Sequence, residues 1–237
     1  SPDLSLADPT TFQDAIDMMK EYAIWDEAPA SIREHLLEGL AHPEMETPKK
    51  LTNTRAYIHS VADPRSTCVA AANKAKELGY TPYVLSTALE GDACNLGIFF
   101  SGIANEVTKT GRPFAAPCAI ISAGETTVTI HGPCGAGGPN QETALGYPLK
   151  LHAQSPTVCL SMDSDGTDGP SDIAGGISDN QTFERACELG LNLWEMLGRH
   201  DSSTALLQLN DALITGHTGT NIMNFRVVVI EKKENES

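Results

Sequence analysis

The sequence predicts an α/β fold: a layered, mostly parallel or mixed sheet flanked by helices. Two observations carry this. From about residue 56 onward, apolar runs of strand length alternate with longer helical patterns, which is the rhythm of βαβ units. Several of those runs end in loops rich in Gly, Asp and Thr, and open α/β sheets place their ligands at such carboxyl edges. At 237 residues, 41% hydrophobic and 20% charged, the chain can bury a sizeable core and is globular rather than disordered.

The elements follow in order. Thr10 or Thr11 caps a first helix with apolar positions at Phe12, Ile16, Met19 and Ala23. Pro29 opens a second through Ile32, Leu36, Leu37 and Leu40, ended by Gly39 or Pro43. Residues 42–53 are polar and carry prolines, so they read as a linker. This divides the chain into a mostly helical part, 1–50, and an α/β domain, 51–237. Strands are expected at 56–61, 82–86, 118–122, 126–130, 157–162 and 225–230. Helices are expected at 66–78 before Gly79, 92–109 before Gly111, 140 to about 153, 181–189 and 201–209.

Charge and cysteine use narrow the partners. Net charge is −15 and the sequence pI is near 4.7. No basic stripe exists for nucleic acid, and an acidic surface disfavours anionic membranes. No apolar run approaches the ~18 residues of a membrane span, and no signal-peptide pattern is visible. Cysteines at 68, 94, 118, 134, 159 and 187 form no Cys-x-x-Cys pair. They read as buried reduced thiols, which predicts a cytoplasmic protein. The opening Ser1-Pro-Asp-Leu4 reads as the middle of a longer sequence.

Four constellations could carry chemistry. Ser122-Ala-Gly-Glu-Thr-Thr127 lies between two predicted strands and offers backbone N–H groups, a carboxylate and hydroxyls; a simple turn is the alternative. His131 to Glu142 is a strand feeding a glycine-rich loop that opens a helix. Glycines let backbone approach an anion, and a helix start offers free N–H groups. The loop lacks the Gly-Lys-Ser/Thr of a Walker A motif, and its glycines at 132, 135, 137 and 138 do not make a dinucleotide fingerprint. A flexible connection capped by Asn140 is its alternative. Asp163-Ser-Asp-Gly-Thr-Asp-Gly-Pro170 gathers three carboxylates behind a strand. It is no EF-hand, because Asp168 stands at the glycine position and no Glu closes the loop. The carboxylates hold a cation or polar substrate, or they cap turns. Thr215-Gly-His-Thr-Gly-Thr-Asn221 suggests an anion or a hydroxyl-rich ligand, with a turn as the alternative. The seven histidines show no zinc spacing, and no Gly-x-Ser-x-Gly elbow appears.

Taken with Asp8-Pro-Thr-Thr-Phe12, Arg33-Glu-His-Leu36, Glu46-Thr-Pro48, Leu78-Gly-Tyr80 and Leu89-Glu-Gly91, these four motifs resemble, in sequence and order, the MOFRL family. That family contains the class II glycerate 2-kinases, often labelled hydroxypyruvate reductases. The resemblance implies ATP- and Mg²⁺-dependent transfer of a phosphoryl group to the 2-hydroxyl of D-glycerate. It implies that residues 1–50 end a larger N-terminal α/β domain and that 51–237 form the MOFRL-type domain, with the rest of the N-terminal domain or a partner chain completing the cleft. The family's catalytic lysine lies outside the matched region.

The carried-over roles are these. Asp165, Asp168 and Glu125 are catalytic, with Asp165 and Asp168 also holding Mg²⁺. Gly124, Thr126, Gly135, Gly137, Gly138, Asn140, Gln141, Glu142, Gly166, Thr167, Thr218, Thr220 and Asn221 bind substrate or nucleotide. The partner is a small hydroxy acid; no nucleic acid or membrane is expected, and a homodimer is left open. Two positions depart from the family pattern. Pro139 stands where the family has an arginine, and Ile58-His-Ser-Val-Ala-Asp-Pro64 replaces Ile-Gly-Ser-Asn. The alternative reading is a divergent or non-catalytic relative, binding a different hydroxy acid or serving as a subunit.

Overall fold

The structure is a computed structural model and describes residues 6–51 and 59–233. The chain divides into two compact units, Ser1–His59 and Ser60–Ser237. In the first, α1 (Phe12–Glu21) begins with a capping box. Thr11 accepts from the Asp14 amide, and Asp14 accepts from the Thr11 amide. α2 (Ala30–Ala41) runs through Gly39 instead of stopping there. Gly39 is a contact residue: a Cβ on it would lie 2.5 Å from the Phe12 ring.

The second unit holds α3 (Pro64–Glu77), β1 (Thr81–Ser86), α4 (Ala93–Thr110), β2 (Cys118–Gly124), α5 (Pro139–Gly146) and β3 (Thr157–Asp163). It continues with β4 (Gly175–Asp179), α6 (Thr182–Glu188), α7 (Leu193–Gly198), α8 (Ser202–Leu209), β5 (Ala212–Leu213) and β6 (Asn224–Ile230). The strands form one sheet in the order β1-β2-β6-β3-β4-β5. β1 and β2 are parallel, joined through α4, and the other neighbours are antiparallel, so the sheet is mixed rather than mostly parallel.

Alternation along the strands assigns the two faces. In β6, Asn224, Arg226, Val228 and Ile230 are buried while the intervening residues are only partly so. Val228 and Ile230 join Cys118, Ile120 and Cys159 against Phe100, Ala104, Val107 and Tyr147. Phe225 and Val227 turn to the opposite face, with Ile121 and Ala123, under Cys68 of α3. A second core packs Leu145 and Leu149 against Leu193, Leu197 and Leu206.

Several expectations need correction. Residues 126–130 are not a strand; only Thr127 pairs, through an isolated bridge to Asp92. α5 ends at Gly146 rather than near 153, because its Cα sits against the Cys94 carbonyl and Pro148 then starts a 3-10 turn. β4, β5 and α7 escaped the sequence reading. Cys134 and Cys187 are exposed rather than buried. Of the strand expected at 56–61, residues 56–58 lie outside the described residues and 59–61 are not strand.

Candidate functional site

The mixed topology has a local consequence. Gly124 at the end of β2, Asn224 at the start of β6 and Asp163 at the end of β3 stand side by side. The four motif loops leave or approach the sheet near this edge.

The glycine loop reaches α5 through Asp168. Asp168 is buried, and its carboxylate accepts four hydrogen bonds from the helix start. Oδ1 takes Asn140 N and Nδ2, each at 3.1 Å, and Oδ2 takes Gln141 N at 2.9 Å and Nε2 at 3.2 Å. Pro139 at N1 has no N–H, and Glu142 N bonds Gly138 O at 2.9 Å. The anion at this helix start is therefore the protein's own carboxylate. The glycines serve the same closure. A Cβ on Gly138 would lie 2.4 Å from Asp168 Cγ, one on Gly137 2.3 Å from Ser202 Oγ, and one on Gly135 2.6 Å from Asp201 Cβ.

Asn140, Gln141 and Glu142 are all buried and point inward. Asn140 Oδ1 accepts from Ser161 Oγ at 2.7 Å, and Gln141 Oε1 accepts from Ser203 Oγ at 2.6 Å. Glu142 Oε1 lies 2.8 Å from His200 Nδ1. Burial pushes the Glu142 carboxyl above its ordinary value, and His200 opposes that shift.

The aspartate loop and the threonine loop are bound to each other. Asp165 Oδ1 accepts from Thr167 N at 2.9 Å and Oγ1 at 3.0 Å, while Oδ2 accepts from Asn221 Nδ2 at 3.0 Å. These bonds, led by the Thr167 amide, hold its carboxyl below the ordinary value. Thr218 N donates to Asp165 O at 3.0 Å, and Ile222 N to Ser164 Oγ at 2.7 Å. Gly166, at φ +96°, allows the approach: a Cβ there would sit 2.0 Å from Gly216 O.

Arg226, on the face of α5, was not singled out from the sequence. It is fully buried. Nη2 donates to Thr126 Oγ1 at 2.7 Å and Nη1 to Gly124 O at 3.3 Å, which ties the Gly124-Glu-Thr126 turn to the sheet. Its Nε and the Ser122 hydroxyl across the strand pair have no partner among the described residues. Desolvation lowers the Arg226 pKa to about 10, against the fields of Cys159, Glu125, Asp168 and Asp163. Desolvation also raises exposed Glu125, and raises half-buried Asp163 to about 6, helped by the neighbouring carboxylates.

Two clefts open here. One, of about 250 Å³, is lined by Val128, Ile130, Cys134, Pro139, Pro170 and His200, together with loop glycines and Glu142. The other, of about 330 Å³ and more open, is lined by Asp165, His217, Gly219, Thr220 and Asn221. Of the sequence-predicted residues, Gly135, Gly137, Gly138 and Glu142 border the first, and Asp165, Thr220 and Asn221 the second.

Both carboxylates assigned to Mg²⁺ also serve the fold. Asp168 has its carboxylate taken by α5, and both oxygens of Asp165 accept internal bonds. Mg²⁺ needs near-octahedral oxygen donors. Among the described residues, no group of three His, Cys, Asp or Glu could hold a metal ion.

Residues 118–224 match the MOFRL family. Its similarity extends well beyond the segment. It is 39% identical to the glycerate 2-kinase of Pyrococcus horikoshii over 97% of this chain and 52% of that protein. It is 35% identical to the D-glycerate 2-kinase of Thermotoga maritima over 94% of this chain and 51% of that protein. A Thermotoga maritima glycerate kinase crystal structure superposes with a TM-score of 0.75 at 35% identity, covering 94% of this chain and 51% of that one. A Pyrococcus horikoshii crystal structure superposes with a TM-score of 0.73 at 38% identity, covering 97% of this chain and 52% of that one. The chain thus spans about half the length of the relatives it matches. Among the described residues, no helix is long and apolar enough to cross a membrane.

Proposed function

We propose that this chain forms part of a glycerate 2-kinase-like phosphotransferase, moving a phosphoryl group from ATP to the 2-hydroxyl of D-glycerate in the cytoplasm. The observation that carries it is the convergence of four motif loops on one sheet edge, bound by Asp168, Asp165 and Arg226. The relatives' names supply the substrate class.

Within this reading, Thr220, Asn221 and His217 border the open cleft and suit a hydroxyl-rich acid. Asp165 orients Asn221 and the loop that carries it, so it is a positioning residue. Asp168 fixes α5 and positions the glycine loop. Arg226 holds Glu125 at the loop mouth by anchoring both of that residue's neighbours, Gly124 and Thr126. Phosphoryl transfer depends on positioning and electrostatic stabilisation, and a loop assembly whose polar groups are already bonded supplies the first. The remaining groups come from a further domain or a partner chain.

A second reading has its own observation. Pro139 brings no charge to the first cleft, and the α5 start is neutralised internally, so a hydroxy-acid binder without phosphoryl transfer suits the same loops. ADP release with D-glycerate, measured on this chain and on a longer protein of its relatives' full length, separates the two. We expect no turnover from the chain alone and kinase rates, roughly 1–100 per second, from the longer protein. Kinase rates from the chain alone would show that no further domain is required. Glycerate binding without turnover in the longer protein would favour the binder.

A further inference from the structure

We propose that His200 is the base of the phosphoryl transfer, its ring oriented by Glu142 so that Nε2 takes the proton of the acceptor hydroxyl in the first cleft. The assignment rests on the phosphotransferase reading and adds the place where the proton goes.

Three observations single out this ring. The first is its partner. Glu142 stands in the first turn of α5 and is 3% exposed, and its Oε1 lies 2.8 Å from His200 Nδ1. An ionised carboxylate only accepts, so Nδ1 carries the hydrogen and Nε2 keeps its lone pair. Among the described residues, Nε2 has no hydrogen-bond partner.

The second is the backbone. His200 closes α7, its N–H donating to Leu197 O at 3.0 Å, and it has φ +55°. Helix ends of this left-handed kind take glycine by default and asparagine next, because a Cβ is strained there. The turn alone does not call for a histidine. A strained residue held by its surroundings points to a use for the side chain, and here a buried carboxylate holds the ring.

The third is position. His200 borders the cleft of about 250 Å³ together with Pro139 and the loop glycines. The remaining walls are Val128, Ile130, Cys134, Gly169 and Pro170. Only Glu142 and His200 bring side-chain oxygen or nitrogen to this lining, and Glu142 is committed to the ring through Oε1. The glycine loop fixes the turn: Gly135 N donates to Arg199 O at 2.8 Å, and a Cβ on Gly137 would lie 3.0 Å from His200 O. The aspartate loop borders both clefts, Gly169 and Pro170 the first and Asp165 the open one, so one loop serves the ligands of both.

The step balances. As the acceptor oxygen attacks the γ-phosphorus of ATP, its hydrogen passes to Nε2. A P–O bond forms to the hydroxy acid, the bond from γ-phosphorus to the bridging oxygen breaks, and ADP leaves with that electron pair. Glu142 stabilises the imidazolium through Nδ1–H, and Nε2 returns its proton to water afterwards. Imidazole suits the task because it titrates nearest neutral pH. Other charges face the pair. Arg199 and Asp201 flank His200, Arg199 pairing with Glu195 at 3.1 Å and lying 3.8 Å from Asp201. Cys134 borders the same cleft from the glycine loop, and Asp92 and Asp168 act on Glu142.

The test uses a protein of the relatives' full length for turnover and this chain for the ring. Glycine suits φ +55°, so His200→Gly should fold; His200→Asn, also at home there, is the second variant. With ATP and D-glycerate, kcat should fall about 10²–10⁴-fold in both, the usual worth of a positioned base, with KM little changed. The rise of kcat/KM with pH through the imidazole range should vanish, and added imidazole should restore part of kcat in His200→Gly. Loss of a merely structural turn would do neither. In this chain alone, ¹⁵N shifts of the His200 ring should place the hydrogen of the neutral form on Nδ1. An unchanged kcat and pH profile in either folded variant overturns the proposal and leaves the phosphotransferase reading standing, as does hydrogen on Nε2 of the neutral ring. Absence of glycerate phosphorylation in the unsubstituted longer protein overturns both together.

Discussion

The Asp168 carboxylate oxygen Oδ2 accepts twice from Gln141, once from its amide at 2.9 Å and once from its side chain at 3.2 Å. Gln141 Nε2 also donates to the Asp168 carbonyl at 3.0 Å. A loop expected to present carboxylates to a ligand instead uses one to close the helix beside it. The loop and the helix are therefore one structural unit.

Removing that carboxylate should cost stability before it costs chemistry. Asp168→Ala leaves the Asn140 and Gln141 amides and the Asn140 side-chain donor buried without acceptors, while Gln141 Nε2 keeps the residue-168 carbonyl and Ser171 Oγ. Lost caps cost about 0.5–2 kcal/mol and stranded buried donors about 1–3 kcal/mol each. A loss of about 3 kcal/mol or more is expected in urea unfolding. A loss below about 1 kcal/mol would show that the carboxylate is not the cap. Asp165→Asn should cost less, since Asp165 is only half-buried and an amide oxygen can replace one of its acceptors.

The contact between the aspartate and threonine loops can be tested from the backbone. Gly166 stands at φ +96° with the Gly216 carbonyl against its Cα. Gly166→Ala meets both strain and overlap, each costing about 1–3 kcal/mol. Amide exchange should speed up at Thr218 and Ile222, whose N–H groups bond the opposite loop. Protection unchanged at those amides would mean that the loops do not depend on each other.

The sequence disclosed the pieces of this arrangement better than their connections. Apolar runs of strand length placed β2, β3 and β6, and helical patterns ending at Gly79 and Gly111 placed α3 and α4. β4 was hidden because its first two residues are Gly175 and Gly176, which read as loop. They are glycine because a Cβ would strike the Ser161 carbonyl at 1.9 Å and Ala144 at 2.9 Å. α7 is six residues long, too short for a period to show. The loops were found by composition, but composition does not say whether Asn140, Gln141 and Asp168 face a ligand or each other. Arg226 carried no local signal at all. An arginine inside a strand pattern reads as surface, and only the register that sets it against Ser122 and Ser161 buries it.

Asp163 gives a pH signature. Desolvation above all pushes its carboxyl up to about 6 in the folded chain, from an ordinary 3.8. The folded state thus holds a proton that the unfolded state has lost between those values. Asp163 therefore makes stability fall as pH rises from about 4 to 6, and the loss is complete above that window. Asp163→Asn removes the term. It should stabilise the chain by on the order of 1–2 kcal/mol at pH 7.5 and change little at pH 4. Thermal melts at the two values check this, and equal effects at both would place the group's titration elsewhere.

Pro139 offers the sharpest test of function. It is N1 of α5 and borders the first cleft, where the family resemblance puts an arginine. Helix position N1 makes no backbone bond that arginine would lose, so Pro139→Arg should cost about 0.4–1 kcal/mol, from the greater freedom of the unfolded chain. The new guanidinium would enter a cleft bordered by Glu142, whose carboxyl burial has pushed up. Charge directed at a transferring phosphoryl group is worth about 10³–10⁵ in rate where arginines do this work. In a protein of the relatives' full length, glycerate phosphorylation should rise with arginine at 139, in kcat more than in KM. Equal kcat with proline and arginine would mean that another residue supplies the charge. Binding of glycerate without turnover in either form, both folded, would move the assignment to a hydroxy-acid binder.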